Sequence, residues 1–181
     1  MQDPKDLLDT NVETGHLKSI RESGSGMLWK QSNSRYEFEL VAGDESIANL
    51  NFIQSESGIL ANAECSEGKW TFERQGLLHP YVAIGDSSET GLRMGLNLAG
   101  QGLLNLPDGS SYTWESSNFM HSRWAFFDSE GRKLVEFIPQ GKLLKTGAMV
   151  HVERSADQKD LSLLILLGWY LMTLRLQDMS L

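Results

Sequence analysis

The sequence predicts an all-β domain with one helix: a roughly twelve-stranded antiparallel barrel enclosing a hydrophobic C-terminal helix. Three observations predict it. Short segments through the middle of the chain alternate apolar and polar residues with a period of two. Turn residues interrupt them about every ten residues. The chain then ends on Leu161–Leu176, where twelve of sixteen residues are large and apolar.

Residues 1–26 are expected to form a loosely ordered arm. They are polar and charged, with only Leu7, Leu8, Val12, Leu17 and Ile20 scattered among them. Asp3 and Pro4 suit the cap and first position of one short helical turn. The segment Arg21-Glu-Ser-Gly-Ser-Gly26 reads as a flexible joint. The first residues lack the basic and apolar stretches of a secretory signal.

Residues 27–181 are expected to be a single domain. Arg35–Leu40 sets Tyr36, Phe38 and Leu40 on one face and Arg35, Glu37 and Glu39 on the other. Ala48, Leu50 and Phe52 share a face, as do Ile59, Ala61, Ala63 and Cys65, and then Trp70 and Phe72. Further strands are expected at Met27–Ser32, Tyr81–Gly85, Leu92–Asn97, Gly102–Leu106, Ser111–Ser116, Arg123–Phe127, Lys133–Ile138, Leu143–Thr146 and Ala148–Glu153. Between them lie Ala42-Gly-Asp44, Ser57-Gly58, Glu67-Gly68, Asp108-Gly109, Asp128–Gly131 and Gln140-Gly141. Gly and Asp supply the positive φ and local bonds of tight hairpins. No comparable helical segment precedes residue 157, which excludes a parallel α/β sheet.

The terminal segment is expected to be a helix over about residues 160–177, with Asp160 as its N-cap. It is apolar on every side, so it belongs in a protein core or in a bilayer. Its uninterrupted part, Leu161–Leu174, has 14 residues. That spans about 21 Å, against about 30 Å for a bilayer core. A core helix is the reading, a tail anchor the alternative, and no transmembrane segment is expected. Gly168, mid-helix, implies close approach of another element. Amphipathic strands and an all-apolar helix share one burial solution, a closed barrel threaded by the helix, with small Ala61 and Ala63 making room. A sandwich with the helix capping one end is the alternative.

That plan resembles the Tubby C-terminal-like superfamily, which includes the tubby domain, phospholipid scramblases and LURP-one-related proteins. The resemblance is carried by the terminal LSLLILLGWYLMTL and the strand-turn-strand units Tyr36–Phe52 and Trp124–Ile138. In the second unit, Phe127-Asp-Ser-Glu-Gly-Arg-Lys-Leu134 is similar to that superfamily's hydrophobic–Asp–x–x–Gly–x–x–Leu turns. It covers about residues 27–176 and implies a twelve-stranded barrel around a C-terminal helix, with a lipid- or protein-binding role. The proline-rich, cysteine-rich and calcium-binding segments of eukaryotic scramblases have no counterpart here, and tubby's basic phosphoinositide-binding residues find no specific positions.

Composition narrows the chemistry. The chain has 181 residues, 24 acidic against 16 basic, a net charge of −8 and one cysteine. The acidic balance argues against nucleic acid as a partner. A lone cysteine excludes an intrachain disulfide or a multi-cysteine zinc site, and Cys65 reads as a small buried hydrophobe. Its free thiol agrees with a cytoplasmic location. His16, His79, His121 and His151 show no metal-ligand spacing, and no nucleophile elbow accompanies them. Glu37 and Glu39 are solvent-facing, and Asp128 with Glu130 belong to a turn with too few oxygen ligands for calcium. Gly95 and Gly100 read as turns or bulges. The five tryptophans are expected to pack the core. No catalytic residue, metal or cofactor is expected.

Charge is uneven. Residues 121–154 hold six basic groups (Arg123, Arg132, Lys133, Lys142, Lys145 and Arg154) against four acidic ones. Arg123, Arg132, Lys133, Lys142 and Lys145 are therefore the expected ligand-binding residues, for anionic lipid headgroups or an acidic protein. The alternative is ordinary solvated strand and turn residues. The expected function is a non-enzymatic binding or scaffold module, cytoplasmic and peripheral to a membrane, recognising anionic phospholipid or a protein. The alternatives are a scramblase-like protein that inserts its C-terminal helix, and an enzyme with a pocket at the barrel mouth using His121 or His151.

Overall fold

A computed structural model of the chain describes residues 17–23, 26–54, 59–86, 91–140, 147–153 and 159–178. Its strands are β1 (Met27–Gln31), β2 (Glu37–Ala42), β3 (Glu45–Gln54), β4 (Ile59–Cys65), β5 (Gly68–Gln75) and β6 (Tyr81–Asp86). They continue as β7 (Leu92–Leu96), β8 (Gly102–Asn105), β9 (Ser111–Ser116), β10 (Trp124–Phe127), β11 (Lys133–Pro139) and β12 (Gly147–Val152). One helix, α1 (Leu161–Asp178), follows. Each strand pairs antiparallel with its sequence neighbours, and β1 pairs with β12 through Met27↔Val150 and Trp29↔Ala148. The sheet is thus a closed barrel with no free edge, which removes the sandwich alternative.

Alternation decides which residues face in. Met27 and Trp29, Phe38 and Leu40, Leu50 and Phe52, Ala61 and Ala63, Val82 and Ile84, Val135 and Phe137 are all buried. The lumen they line is filled by α1, whose residues 161–174 are buried without exception. Three consecutive helix positions show that walls surround it. Gly168 meets Phe137 of β11. Trp169 stacks on Trp29 of β1 (ring centroids 5.9 Å apart) and meets Phe38 of β2 edge-on. Tyr170 stacks on Phe52 of β3 and touches Phe72 of β5. Ala61 and Ala63 lie opposite Phe52 and Leu50 across the β3–β4 ladder, so small residues offset large ones where the helix passes.

Polar groups inside this core are few. The Tyr170 hydroxyl donates to the Ile59 carbonyl at 2.6 Å and accepts from the Arg74 amide at 2.8 Å. That bridge satisfies both partners, and burial pushes the phenol pKa well up. Asp160 precedes the helix as expected, and its carbonyl accepts from the Leu164 amide. Its side chain accepts from the Tyr112 hydroxyl at 2.7 Å, tying the helix start to β9.

Two expectations are corrected. Tyr36 was placed on the inner face, but it lies in the turn before β2 and is exposed, its ring covered by Arg35. The arm was expected to be loose throughout, yet residues 17–23 form a turn seated on the barrel with Ile20 buried. Residues 1–16 and 24–25 of the arm and the expected strand Leu143–Thr146 lie outside the described residues. Four tryptophans are buried, and Trp70 is half-buried.

Gly168 gives a direct test of the packing. A Cβ there would sit 2.3 Å from the Phe137 ring. Helix propensity alone favours Gly168→Ala by about 1 kcal/mol, whereas overpacking costs about 1–3 kcal/mol. Gly168→Ala is therefore expected to lower Tm, and adding Phe137→Leu to recover part of the loss, measured by thermal unfolding of both variants. A higher Tm for Gly168→Ala would contradict the packing.

Candidate functional site

An antiparallel meander puts alternate turns at opposite ends. One end holds the turns at 43–44, 66–67, 106–110 and 128–132, together with the start of α1. Residues 17–23 cover it. The Ile20 amide donates to Glu67 Oε1 at 3.1 Å, the Ser19 hydroxyl bonds the same oxygen, and Arg21 donates to the Lys159 carbonyl at 2.6 Å. Every one of these turns carries an acid, namely Asp44, Glu67, Asp108, or Asp128 with Glu130. A cleft of about 470 Å³ beside the arm is lined by Arg21, Glu67, Asp108, Lys159 and Asp160. Lys159 is ion-paired with Asp108.

The other end, the rim, holds the turns at 32–36, 76–80, 97–101 and 117–123 and the last turn of α1. None of these turns contains an Asp or Glu. Among the described residues, the acids at this end are Glu37, Glu73 and Glu115 on the strand ends and Asp178 at the close of α1; the β3–β4 connection, with Glu56, lies outside the described residues. The turns instead project large apolar side chains into water: Leu77, Leu78, Leu98, Phe119 and Met120 are 81–98 % exposed. Soluble surfaces seldom gather apolar groups this way without a partner.

A pair of matched turns shows that the apolar tips are not demanded by turn geometry. In Asn97–Gln101 the Asn97 side-chain oxygen accepts from the amides of Ala99 and Gln101, and the Asn97 carbonyl from Gly100. In Asp128–Arg132, at the arm end, Asp128 accepts from Glu130, Arg132 and Gly131 in the same pattern. Both glycines have positive φ, 78° and 76°. The positions between are Leu98-Ala99 at the rim and Ser129-Glu130 at the arm end. One backbone design thus carries opposite chemistry at the two ends.

The rim turns are also held in place. Asn118 ties its loop shut, accepting from the Ser122 and Arg123 amides at 3.0 and 2.9 Å. His121 adopts φ 51°, a left-handed conformation that is costly for a residue with a Cβ. Gly76, at φ 81°, turns the chain where a Cβ would lie 2.5 Å from the His79 carbonyl oxygen. Phe119, Met120 and Leu77 therefore project from ordered backbone, which limits the entropy cost of binding.

Arg175 of α1 reaches this rim. It donates to the Ala99 carbonyl at 2.9 Å and lies 4.3 Å from the Trp124 ring centroid. On one side a cleft of about 480 Å³ runs between the 76–80 and 97–101 turns. On the other, a cleft of about 490 Å³ lies between the 117–123 turn and β11.

The structure separates the expected basic residues. Arg123 belongs to the rim and is exposed. Arg132 sits at the arm end, paired with Asp128 at 2.7 Å and Glu130 at 3.3 Å. Lys133 pairs with Glu136 at 3.2 Å and Glu153 at 3.8 Å. Lys142 and Lys145 lie outside the described residues. His121 is in the rim and His151 on β12, 3.9 Å from Glu153, so the two do not converge. Among the described residues no three His, Cys, Asp or Glu side chains gather as metal ligands. Among them, too, no helix is long and apolar enough to cross a membrane. Sequence reasoning missed the rim leucines, Phe119 and Met120, because turns were read for their Gly, Asn and Asp. The available signal was an apolar residue directly after a turn-forming Asn or Gly: Asn97-Leu98, Asn118-Phe119, Gly76-Leu77. Compared with family models, curated proteins and solved structures, the chain matches none.

Glu67 anchors the arm and gives a pH test. Burial raises its pKa, but bonds from Ser19, Cys65 and Ser66 outweigh this and hold it below the ordinary 4.5. Burial, and then the bond to Glu67, pushes the Cys65 thiol up to about 11. A carboxyl with a depressed folded pKa stabilises fully above its unfolded value, and the contribution fades as pH falls through the folded one. Glu67→Gln is expected to unfold at lower urea than the parent at pH 7, with the gap closing towards about pH 3. An equal gap at both pH values would show that Glu67 does not hold the arm as a carboxylate.

Proposed function

We propose that this chain is a non-enzymatic, Tubby-like binding module that docks its rim on an anionic membrane surface. The observation that carries this reading is the rim itself, five near-fully exposed large apolar side chains on turns without a single acid. Apolar tips enter the acyl boundary and basic groups meet the headgroups, the combination used by interfacial membrane binders. Arg35, Arg123 and Arg175 supply the positive charge at that end. The acidic turns of the arm end point away from the membrane in this pose.

The outer wall supports docking by the end and not by the side. It carries ion pairs such as Lys30–Glu39 and Lys69–Glu64, and amides such as Asn51 and Asn62. A lipid-facing wall is an apolar band. The helix remains in the lumen, where its residues 161–174 are buried. The closed barrel around a C-terminal helix supports the Tubby-like resemblance, and docking places the protein peripherally, on a cytoplasmic membrane face.

Co-sedimentation with vesicles tests the reading. The parent is expected to pellet with phosphatidylcholine vesicles containing phosphatidylserine, and less with phosphatidylcholine alone. Burying one Leu or Phe side chain contributes about 1.5–3 kcal/mol, so Leu98→Ser and Phe119→Ser are each expected to weaken binding by roughly tenfold to a hundredfold. Arg132→Gln, at the arm end, should bind as the parent does. No binding at low salt, or binding indifferent to Leu98→Ser and Phe119→Ser, would overturn the proposal. A protein partner would then be the occupant of the rim.

A further inference from the structure

The geometry points to a discrete site within the rim for one amphiphile with an oxyanion head, its head on Arg175 and its hydrocarbon chain in the adjoining cleft between the 76–80 and 97–101 turns. The site rests on the rim-docking reading, because a bilayer would supply such a ligand, and it adds a single bound molecule to what would otherwise be surface adsorption.

Arg175 is built for this and underused. A guanidinium has five N–H donors in a rigid fork that suits phosphate or carboxylate. Among the side chains the structure describes, which do not include that of Asp178, Arg175 spends one donor, on the Ala99 carbonyl, and pairs with no carboxylate. It is half-buried, and burial lowers its pKa, the mark of a charge with little compensation. A cation in the last turn of α1 suits the helix dipole, and this one also covers Trp124. These roles leave its remaining donors unused beside two clefts. An anion there would restore the pairing that half-buried charges ordinarily have.

The cleft beside it is the right shape and chemistry for a chain. Leu77, Pro80, Leu96, Leu98, Leu171 and Leu174 line it, together with the polar Arg74 and Asn97. Its floor is the last apolar part of α1, so a chain lying there extends the barrel core outward. Its volume of about 480 Å³ falls in the range of small-ligand sites. Head and chain are thus read by adjacent groups, one charged and one apolar.

Octyl phosphate, kept below its micelle-forming concentration, provides the test, with tryptophan emission as the readout because the Arg175 guanidinium covers Trp124. Saturable binding of octyl phosphate is expected, with inorganic phosphate and octyl glucoside each at least tenfold weaker. Arg175→Gln is expected to lose tenfold or more, and Arg175→Lys to fall between. The double change Leu77→Ser with Leu98→Ser, confined to exposed tips, is expected to weaken octyl phosphate and leave the melting temperature unchanged. This second route holds even where Arg175→Gln unfolds. Phe119→Ser lines neither cleft, and it should weaken vesicles while sparing octyl phosphate. Equal binding of inorganic phosphate would overturn the chain half of the site, and equal binding of octyl glucoside the head half. No octyl phosphate binding, with vesicle binding intact, would overturn the site and leave rim docking standing. Octyl phosphate binding with no vesicle binding would overturn rim docking and uphold the site.

Discussion

A helix without a polar face has to be surrounded, and that constraint shapes the rest of this protein. Residues 161–174 are buried on all sides, so no layer packed against one face would suffice. Closing the sheet through the β1–β12 ladder supplies a wall in every direction and removes the edges at the same time. The small residues of β4 and the missing Cβ of Gly168 follow from the same need for room. Helices in proteins draw most of their stability from tertiary packing rather than from propensity. Its stability here comes from the walls, and theirs from it.

Filling the lumen has a functional consequence. A barrel commonly binds its ligand inside, but this one holds its own helix there. Recognition moves to the ends, and the ends differ. One is covered by residues 17–23, fastened through Glu67 and Lys159, and ringed with acids. The other carries Leu98 and Phe119 on turns locked by Asn97 and Asn118. The matched turns at 97–101 and 128–132 make the contrast a matter of side-chain choice, since the backbone is the same.

Much of the fold was legible because periodicity and length are local signals. Phe38 and Leu40, Ala61 and Ala63, and the whole of α1 lie where their spacing put them, and Gly168 does approach another element. The site was less legible. Arg123, Arg132 and Lys133 are close in sequence, but β10 lies between the first and the other two. Its four residues run about 13 Å at roughly 3.3 Å each. In a meander, groups ten residues apart sit at opposite ends, while groups twenty apart share one. Leu77, Leu98 and Phe119 follow that second interval, and one or two apolar residues in a short turn make no period. Ile20 gave no signal either, since one apolar residue in a charged arm has no period.

The central claim is that the filled barrel meets a membrane by its rim. The direct measurement attaches a polarity-sensitive fluorophore to a single cysteine at position 98, 119, 44 or 130, in a chain with Cys65 replaced by Ala. Emission is then recorded with and without anionic vesicles. A blue shift is predicted at 98 and 119 and none at 44 and 130. Shifts at all four positions, or at 44 and 130 alone, would contradict rim docking.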